Sequence, residues 1–499
     1  MLGVSTSEPR RRAHREYIMD AWPPAPRIFQ INTWTWLYDL SQHHNRPITL
    51  GDIPEQALNI LLGELGHMDA VWLMGVWQRS PAGRTIALEH PGLQAEYDRV
   101  LPDWRQEDVV GSPYSIAAYQ VDERLGGMAG LATIREKLAA RGLRLILDYV
   151  PNHTALDHPW VREAPDVYVH ASDATRAAHP EWFFQADERW LAHGRDPYFP
   201  PWTDTAQVNA FSPGARRVAR ETLQHIATLC DGVRCDMAML LTHEVFAQTW
   251  GDLAGPPPEV EFWEEIIPAV RETNTDFLFM AEVYWDMEHA LQEQGFDYCY
   301  DKRLYDRLVH GSAAAVRTHL IADINYQQKL VRFTENHDEP RAASTMHPAQ
   351  NIAATVLCAT LPGAHLIHEG QMRGHQVKLP VQLGRRPIEK DDPVLLSVYR
   401  ALLERLPARE NLKKWELLQV TDMNGNEHPT LIAHIWTENM DLLTVVNYST
   451  QSASGSVKLP SRYDNSAFID LMTGEVWNMP GVSAFYITLP AWGWIILTT

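Results

Sequence analysis

LRLILDYVPNH, Leu143 to His153, is the stretch from which the rest of the chain is read. Five residues, all apolar except Arg144, end in a polar cluster, Asp148-Tyr149-Val150-Pro151-Asn152-His153. Immediately before it, Leu131, Ile134 and Leu138 recur at helical spacing, and Gly142 supplies the residue that ends a helix. A helix, a glycine stop, a buried strand and polar groups at the strand's C-terminal end describe one turn of a βα repeat in a parallel sheet.

The same unit recurs outward in both directions. IFQINTW, from Ile28, reads as a first strand. Asp52 then opens a helix, with Glu55 as its capping-box partner and Pro54 in the first turn. Ile53, Ala57, Leu61 and Leu65 give that helix an apolar face. Ala70 to Trp77 is a second buried strand. A helix over 215–229 leads into GVRCD, and one over 262–271 leads into FLFMAE. A sixth strand falls near 296–300, KLVRFTE runs into Asn336-His337-Asp338, and a helix ending near Leu361 leads into HLIHEG. Eight such strands predict an α/β fold, a (β/α)8 TIM barrel. Two long loops interrupt it, 78–120 and 154–207; the second, rich in Pro, His, Asp and Trp, reads as a small excursion subdomain after strand 3. Beyond Pro407, short alternating runs such as LIAHIWT and LLTVVNY, separated by turn residues, predict a C-terminal antiparallel β-sandwich. The expected organisation is an N-terminal tail (1–25), the barrel (26–153 and 206–406), the excursion (154–205) and a C-terminal all-β domain (407–499).

The bulk properties exclude several function classes. A net charge of −20 argues against nucleic acid and anionic membranes as partners. Four cysteines without a CxxC pair give neither a disulfide scaffold nor a zinc site, so buried thiols are expected. Arg10, Arg11 and Arg12 are followed by His14, Arg15, Glu16 and Asp20 rather than by an apolar signal segment, and no run approaches the length of a membrane helix. A cytoplasmic protein is the expectation.

In a barrel, the C-terminal strand ends converge on one face, where active sites are built. Four polar clusters fall there: the one around Asp148, Arg234-Cys235-Asp236, Glu282, and Asn336-His337-Asp338. Packing alone gives no reason to gather so many carboxylates at one concave rim. DYVPNH, GVRCD, MAEVYWD and FTENHDEPR also stand in the order and spacing of the four signature regions of the α-amylase family of glycoside hydrolases, and the chain resembles that family throughout its length. TAQVNAFSP, from Thr205, resembles the segment closing the family's excursion domain, and GSPYSIAAY, from Gly111, the region after its second strand.

The resemblance implies a set of roles. Asp236 is similar to the nucleophile, Glu282 to the general acid/base, and Asp338 to the third carboxylate that grips sugar hydroxyls. Arg234 would lie beside Asp236 and keep it ionised. His153 and His337 resemble the pair that hydrogen-bonds the reacting sugar, Tyr114 the aromatic platform beneath it, and Asp148 and Asn152 the supports of the first region. The chemistry accounts for these residue types: retention takes two carboxyl groups about 5–5.5 Å apart, one ionised and one protonated. The implied activity is cleavage of α-glucosidic bonds in small α-glucosides or malto-oligosaccharides through a covalent glucosyl-Asp intermediate. Two alternatives stand beside it: a transglycosidase or sucrose-phosphorylase-like glucosyl transferase, towards which VDERLGG (Val121 to Gly127) leans, and a non-catalytic amylase-like binding protein.

Three departures from the family pattern are visible. Met239 and Leu240 stand where many amylases have Lys and His, the latter helping to hold calcium. Calcium takes six or more oxygen ligands and only Asn152 is recognisable, so no cofactor and no metal are expected. Ser115 replaces an acidic residue that often follows Tyr114 in enzymes releasing single glucose units. Arg373, Arg385 and Arg386 follow the eighth strand within possible reach of the rim, and Trp36 is a candidate stacking surface for sugar.

Overall fold

The structure, a computed structural model, describes residues 21–479 and 484–499. Residues 1–20 of the expected tail, including the arginine run at 10–12, lie outside the described residues.

Eight parallel strands close into a barrel: β1 (Arg27–Asn32), β2 (Ala70–Met74), β3 (Arg144–Tyr149), β4 (Gly232–Cys235), β5 (Leu278–Ala281), β6 (Tyr298–Tyr300), β7 (Leu330–Arg332) and β8 (Ala364–His368). Each pairs with its neighbours in chain order, and β1 closes the ring against β8 with Ile28 opposite Leu366. All six residues of β3 are buried, which is why its centre, Leu145-Ile146-Leu147, is an apolar run instead of an alternation. The register sets Arg234 beside Asp148 on β3 and beside Met280 on β5.

Helices cover the barrel: α1 (Thr33–His44), α2 (Glu55–Leu65), α3 (Gly127–Ala139), α4 (Pro213–Leu229), α5 (Phe262–Arg271), α6 (Lys302–His310) and α7 (Pro348–Thr360) are among them. The predicted start of α2 needs correction. Asp52 does not cap it: its carboxylate accepts from Thr49 N–H (2.7 Å) and Thr49 Oγ1 (2.9 Å) and pairs with Arg46, and the helix begins at Glu55 behind Pro54. Local turn hydrogen bonds took the side chain that the capping pattern had assigned to the helix.

The loop after β2 is not featureless. It carries two helices, Pro81–Glu89 and Pro91–Val100, and a strand pair, Trp77–Arg79 with Ile116–Val121. The excursion after β3 opens and closes with antiparallel strands, His153–Ala155 against Thr205–Gln207, and contains a hairpin, Phe183–Ala186 with Arg189–Ala192. It has a small apolar core of its own around Val167, Tyr168, Leu191 and Val208.

The C-terminal region is an antiparallel sheet of six strands with a second of three. Its first sheet packs on α7, where Trp436 Nε1 donates to the Thr360 carbonyl at 2.7 Å. All four cysteines are buried thiols. No helix among the described residues is long and apolar enough to cross a membrane.

Candidate active site

Arg234 is the centre of the rim. It leaves β4 fully buried, and burial alone would favour loss of its proton; the carboxylates around it outweigh that and hold it charged. Nη1 donates to Asp236 Oδ1 at 2.7 Å and lies 3.7 Å from Asp148 Oδ1. Nη2 is 2.7 Å from Glu282 Oε2 and 3.8 Å from Asp338 Oδ2. The rings of Trp72, Tyr114 and Tyr300 surround the same guanidinium at 5.5, 5.1 and 5.9 Å from its central carbon. Four carboxylates from β3, β4, β5 and β7 strand ends therefore converge on one cation.

The turn after β4 makes this possible. Met237 sits at φ 42°, in the left-handed region that non-glycine residues seldom occupy. That turn aims its N–H at Glu282 Oε2 (2.8 Å), while Tyr284 O–H donates to Glu282 Oε1 at 2.8 Å. Glu282 is thus held at both oxygens. Burial, reinforced by Asp236 and Asp338 against the pull of Arg234, raises its pKa to about 7. Asp236 is also raised by burial, with Arg234 opposing. Arg234 favours the ionised form of Asp236, although desolvation is the larger effect. Asp338 behaves differently. Its side chain is 40% exposed at the mouth of the site; burial of the carboxyl resists ionisation, but His337, Arg234 and Lys378 outweigh it and hold the pKa down at about 2.

The remaining predicted residues lie around these three. His337 Nε2 is 2.9 Å from Asp338 Oδ2 and in contact with the Tyr114 hydroxyl, and its Nδ1 is 2.6 Å from Gln30 Nε2. Asp148 accepts from Gly75 N–H at 3.1 Å, and burial raises its pKa. His153, lowered to about 4 by burial, stacks obliquely 5.2 Å from Trp202 of the excursion. Asn152 is joined to Gln207 through both amide atoms, Nδ2 to Oε1 at 3.2 Å and Oδ1 from Nε2 at 2.9 Å.

Several contributors escaped the sequence reading. Gln30, Met237, Tyr284 and Lys378 touch the site residues directly, Lys378 through the Asp338 carbonyl. Tyr284 could have been found, since residues two apart on an extended segment share a side. Gln30 and Lys378 carried no local signal.

Other candidates are drawn away. Arg385 is taken by Asp103 and Asp108, Arg386 by Asp39 (2.7 Å) and Glu369 (3.0 Å), and Arg373 by Asp391. Trp36 belongs to the buried core. Ser115 turns its hydroxyl to the Asp204 carbonyl at 2.8 Å.

A sequence profile of the alpha amylase catalytic domain matches residues 62–390, about two thirds of the chain. The chain belongs to the α-amylase family. It is 23% identical over 481 residues to alpha-amylase MalA of Haloarcula japonica, covering 93% of this chain and 60% of that protein. A second relative, alpha-1,4-glucan:maltose-1-phosphate maltosyltransferase 2 of Streptomyces coelicolor, is 26% identical over 201 residues, 39% of this chain and 25% of that one. The chain thus spans less than two thirds of these relatives' length. Among solved structures, the fold is similar to that of the Geobacillus thermoleovorans alpha-amylase complexed with acarbose (TM-score 0.66, 16% identity, 96% of this chain and 99% of that one). It is likewise similar to the maltogenic alpha-amylase AmyB of Thermotoga neapolitana (TM-score 0.64, 18% identity, 95% and 98%).

Proposed function

We propose that the chain is a retaining glycosidase acting on α-glucosidic bonds of small α-glucosides or malto-oligosaccharides. The observation that carries this reading is the shared grip of Arg234 on Asp236 and Glu282. Two carboxyls on one guanidinium lie close together, as double displacement needs. In this reading Asp236 attacks the anomeric carbon as the glycosidic bond breaks. Glu282, protonated because burial lifts its pKa to about 7, gives its proton to the departing oxygen. The product is a β-linked glucosyl ester on Asp236. Glu282, now ionised, takes a proton from water, which attacks the same carbon and releases the sugar with its original configuration. Asp338, ionised at the mouth, and His337 would hold the sugar hydroxyls, with Tyr114 beneath the ring. No metal or cofactor enters these steps.

A second reading, transfer to a sugar acceptor, is favoured by one feature. Tyr198, 61% exposed, and Trp285, 37% exposed, meet edge to face at 4.9 Å, and Trp285 lies three residues beyond Glu282. Open aromatic faces suit the apolar face of a sugar ring, so an acceptor seated there would compete with water for the ester. The maltosyltransferase relative is consistent with this.

Proton NMR during hydrolysis of maltotriose tests the mechanism: the α-anomer should appear first, and Asp236→Asn and Glu282→Gln should each abolish turnover in a folded protein. Early β-anomer, or parental rates in both variants, would refute the assignment. Added acceptor sugar separates hydrolysis from transfer by the products formed.

A further inference from the structure

A cavity of about 520 Å3 opens on the flank of the barrel, between α1, α2 and the segment that follows β8. Asp236, Glu282 and Asp338 do not line it. Its volume is within the range of small-molecule sites, and the reactions described above make no use of it.

Its walls are of two kinds. Leu40, Ile60, Leu61, Met372, Ile388 and Leu396 form an aliphatic surface. Ile60 (56% exposed) and Ile388 (fully exposed) leave branched apolar side chains in water beside the cavity, Ile60 on α2 and Ile388 on the segment beyond β8. Exposed apolar side chains gathered at one opening mark a place where something is covered. The charged lining consists of Asp39, Glu369, Glu389 and Asp391 against Arg373 and Arg386, an excess of two negative charges with the histidines left aside. Arg386 is spent on Asp39 and Glu369, and Arg373 on Asp391. Glu389 accepts from Gln376 N–H at 2.6 Å. His375, whose pKa burial lowers, lies 3.5 Å from Asp391 and 4.0 Å from Glu389.

These features select a ligand. An anion would meet surplus carboxylates. A sugar would lack an open aromatic face, since Trp36 and Phe29, which reach the cavity, are buried in the core. We propose that this flank cavity binds a small aliphatic cation of the alkylamine class, its chain between Ile60 and Ile388 and its ammonium group at Asp39 and Asp391. Asp39 and Asp391 are the appropriate pair because about two fifths of each side chain is still open to solvent, whereas Glu369 is enclosed. The proposal is independent of the glycosidase reading. If the charge network merely braced the segment after β8, no such ligand would bind.

Isothermal titration calorimetry with n-pentylamine, n-pentanol and pentanoate tests it on the full chain. The parent should bind pentylamine saturably, with the alcohol and the acid weaker by about tenfold or more, since only the cation gains from the acidic lining. Ile60→Lys and Ile388→Lys should each weaken the amine by about tenfold without lowering the melting temperature, because both side chains already face water. Asp236→Asn should leave amine binding unchanged. The proposal fails if the parent shows no saturable binding, if pentanol binds as tightly as the amine, or if the lysine variants bind like the parent. It also fails if Asp236→Asn removes binding, which would move the amine to the catalytic rim.

Discussion

Arg234 Nη2 lies 2.7 Å from Glu282 Oε2, and the other nitrogen of the same fork holds Asp236 at 2.7 Å. One buried cation on β4 therefore sets the spacing of two carboxyls carried by different strands. Its own position is fixed by the barrel ladder, with Asp148 on one side and Met280 on the other.

Arg234→Lys should lower kcat by about a thousandfold, the scale seen when a preorganised charge is removed from a transition state. Lysine offers one point charge where the arginine fork serves two acids. The variant should also melt below the parent, because a buried carboxylate is left without its partner. Steady-state kinetics and a thermal melt read both effects; a lysine variant within about threefold of the parent rate would contradict the dual role.

The pH dependence follows from Glu282. Its pKa rises from 4.5 to about 7 through burial first and then through Asp236 and Asp338. Only the protonated form can act as acid, so kcat/KM should fall as pH passes about 7. The folded protein binds this proton more tightly than the unfolded chain. The stability it contributes is complete below 4.5 and lost as pH rises through about 7. Glu282→Gln should flatten the melting temperature across that window, and an unchanged slope would rule out Glu282 as its source.

A buried network on the far side of β6 should govern stability. Asp301 follows β6, caps α6 through Leu304 N–H at 3.0 Å, lies 3.0 Å from His319 Nε2 and pairs with the fully buried Arg332. Burial opposes its ionisation, yet Arg332 and His319 prevail and hold its pKa at about 2. Asp301→Ala should destabilise by about 3–5 kcal/mol, since it strands a buried guanidinium. In the parent this contribution is present above 3.8 and lost as pH falls towards about 2. Urea denaturation at neutral pH checks the first statement; a loss under about 1 kcal/mol would mean that Arg332 needs no such partner.

Chelation should change little. Asn152 Oδ1, the recognisable calcium-type oxygen, already accepts from Gln207 Nε2 at 2.9 Å. Activity and melting temperature should survive EDTA. A marked drop restored by added calcium would demand a metal centre.

Much of the site was legible in order and spacing. Asp148, Arg234, Glu282 and His337 stand at or just past strand ends, and a strand's end is marked by the switch from apolar run to polar cluster. Boundaries read less well where local hydrogen bonds compete, as at Asp52, whose carboxylate closed a turn with Thr49 in place of starting α2. Residues that act from afar left no pattern. Gln30 reaches His337 across 307 positions, and Lys378 holds the Asp338 carbonyl from a segment without regular structure.

By itself, the sequence determined the order of the barrel strands and which polar residues follow them, because hydrophobic periodicity and strand-terminal chemistry are properties of neighbours along the chain. The tertiary structure alone decided which carboxyls are pushed up and which is held down. Asp236, Glu282 and Asp338 are the same kind of group until barrel closure buries the first two around Arg234 and leaves the third at the mouth beside His337. Desolvation and charge pairing depend on distances through space, which no spacing along the chain records.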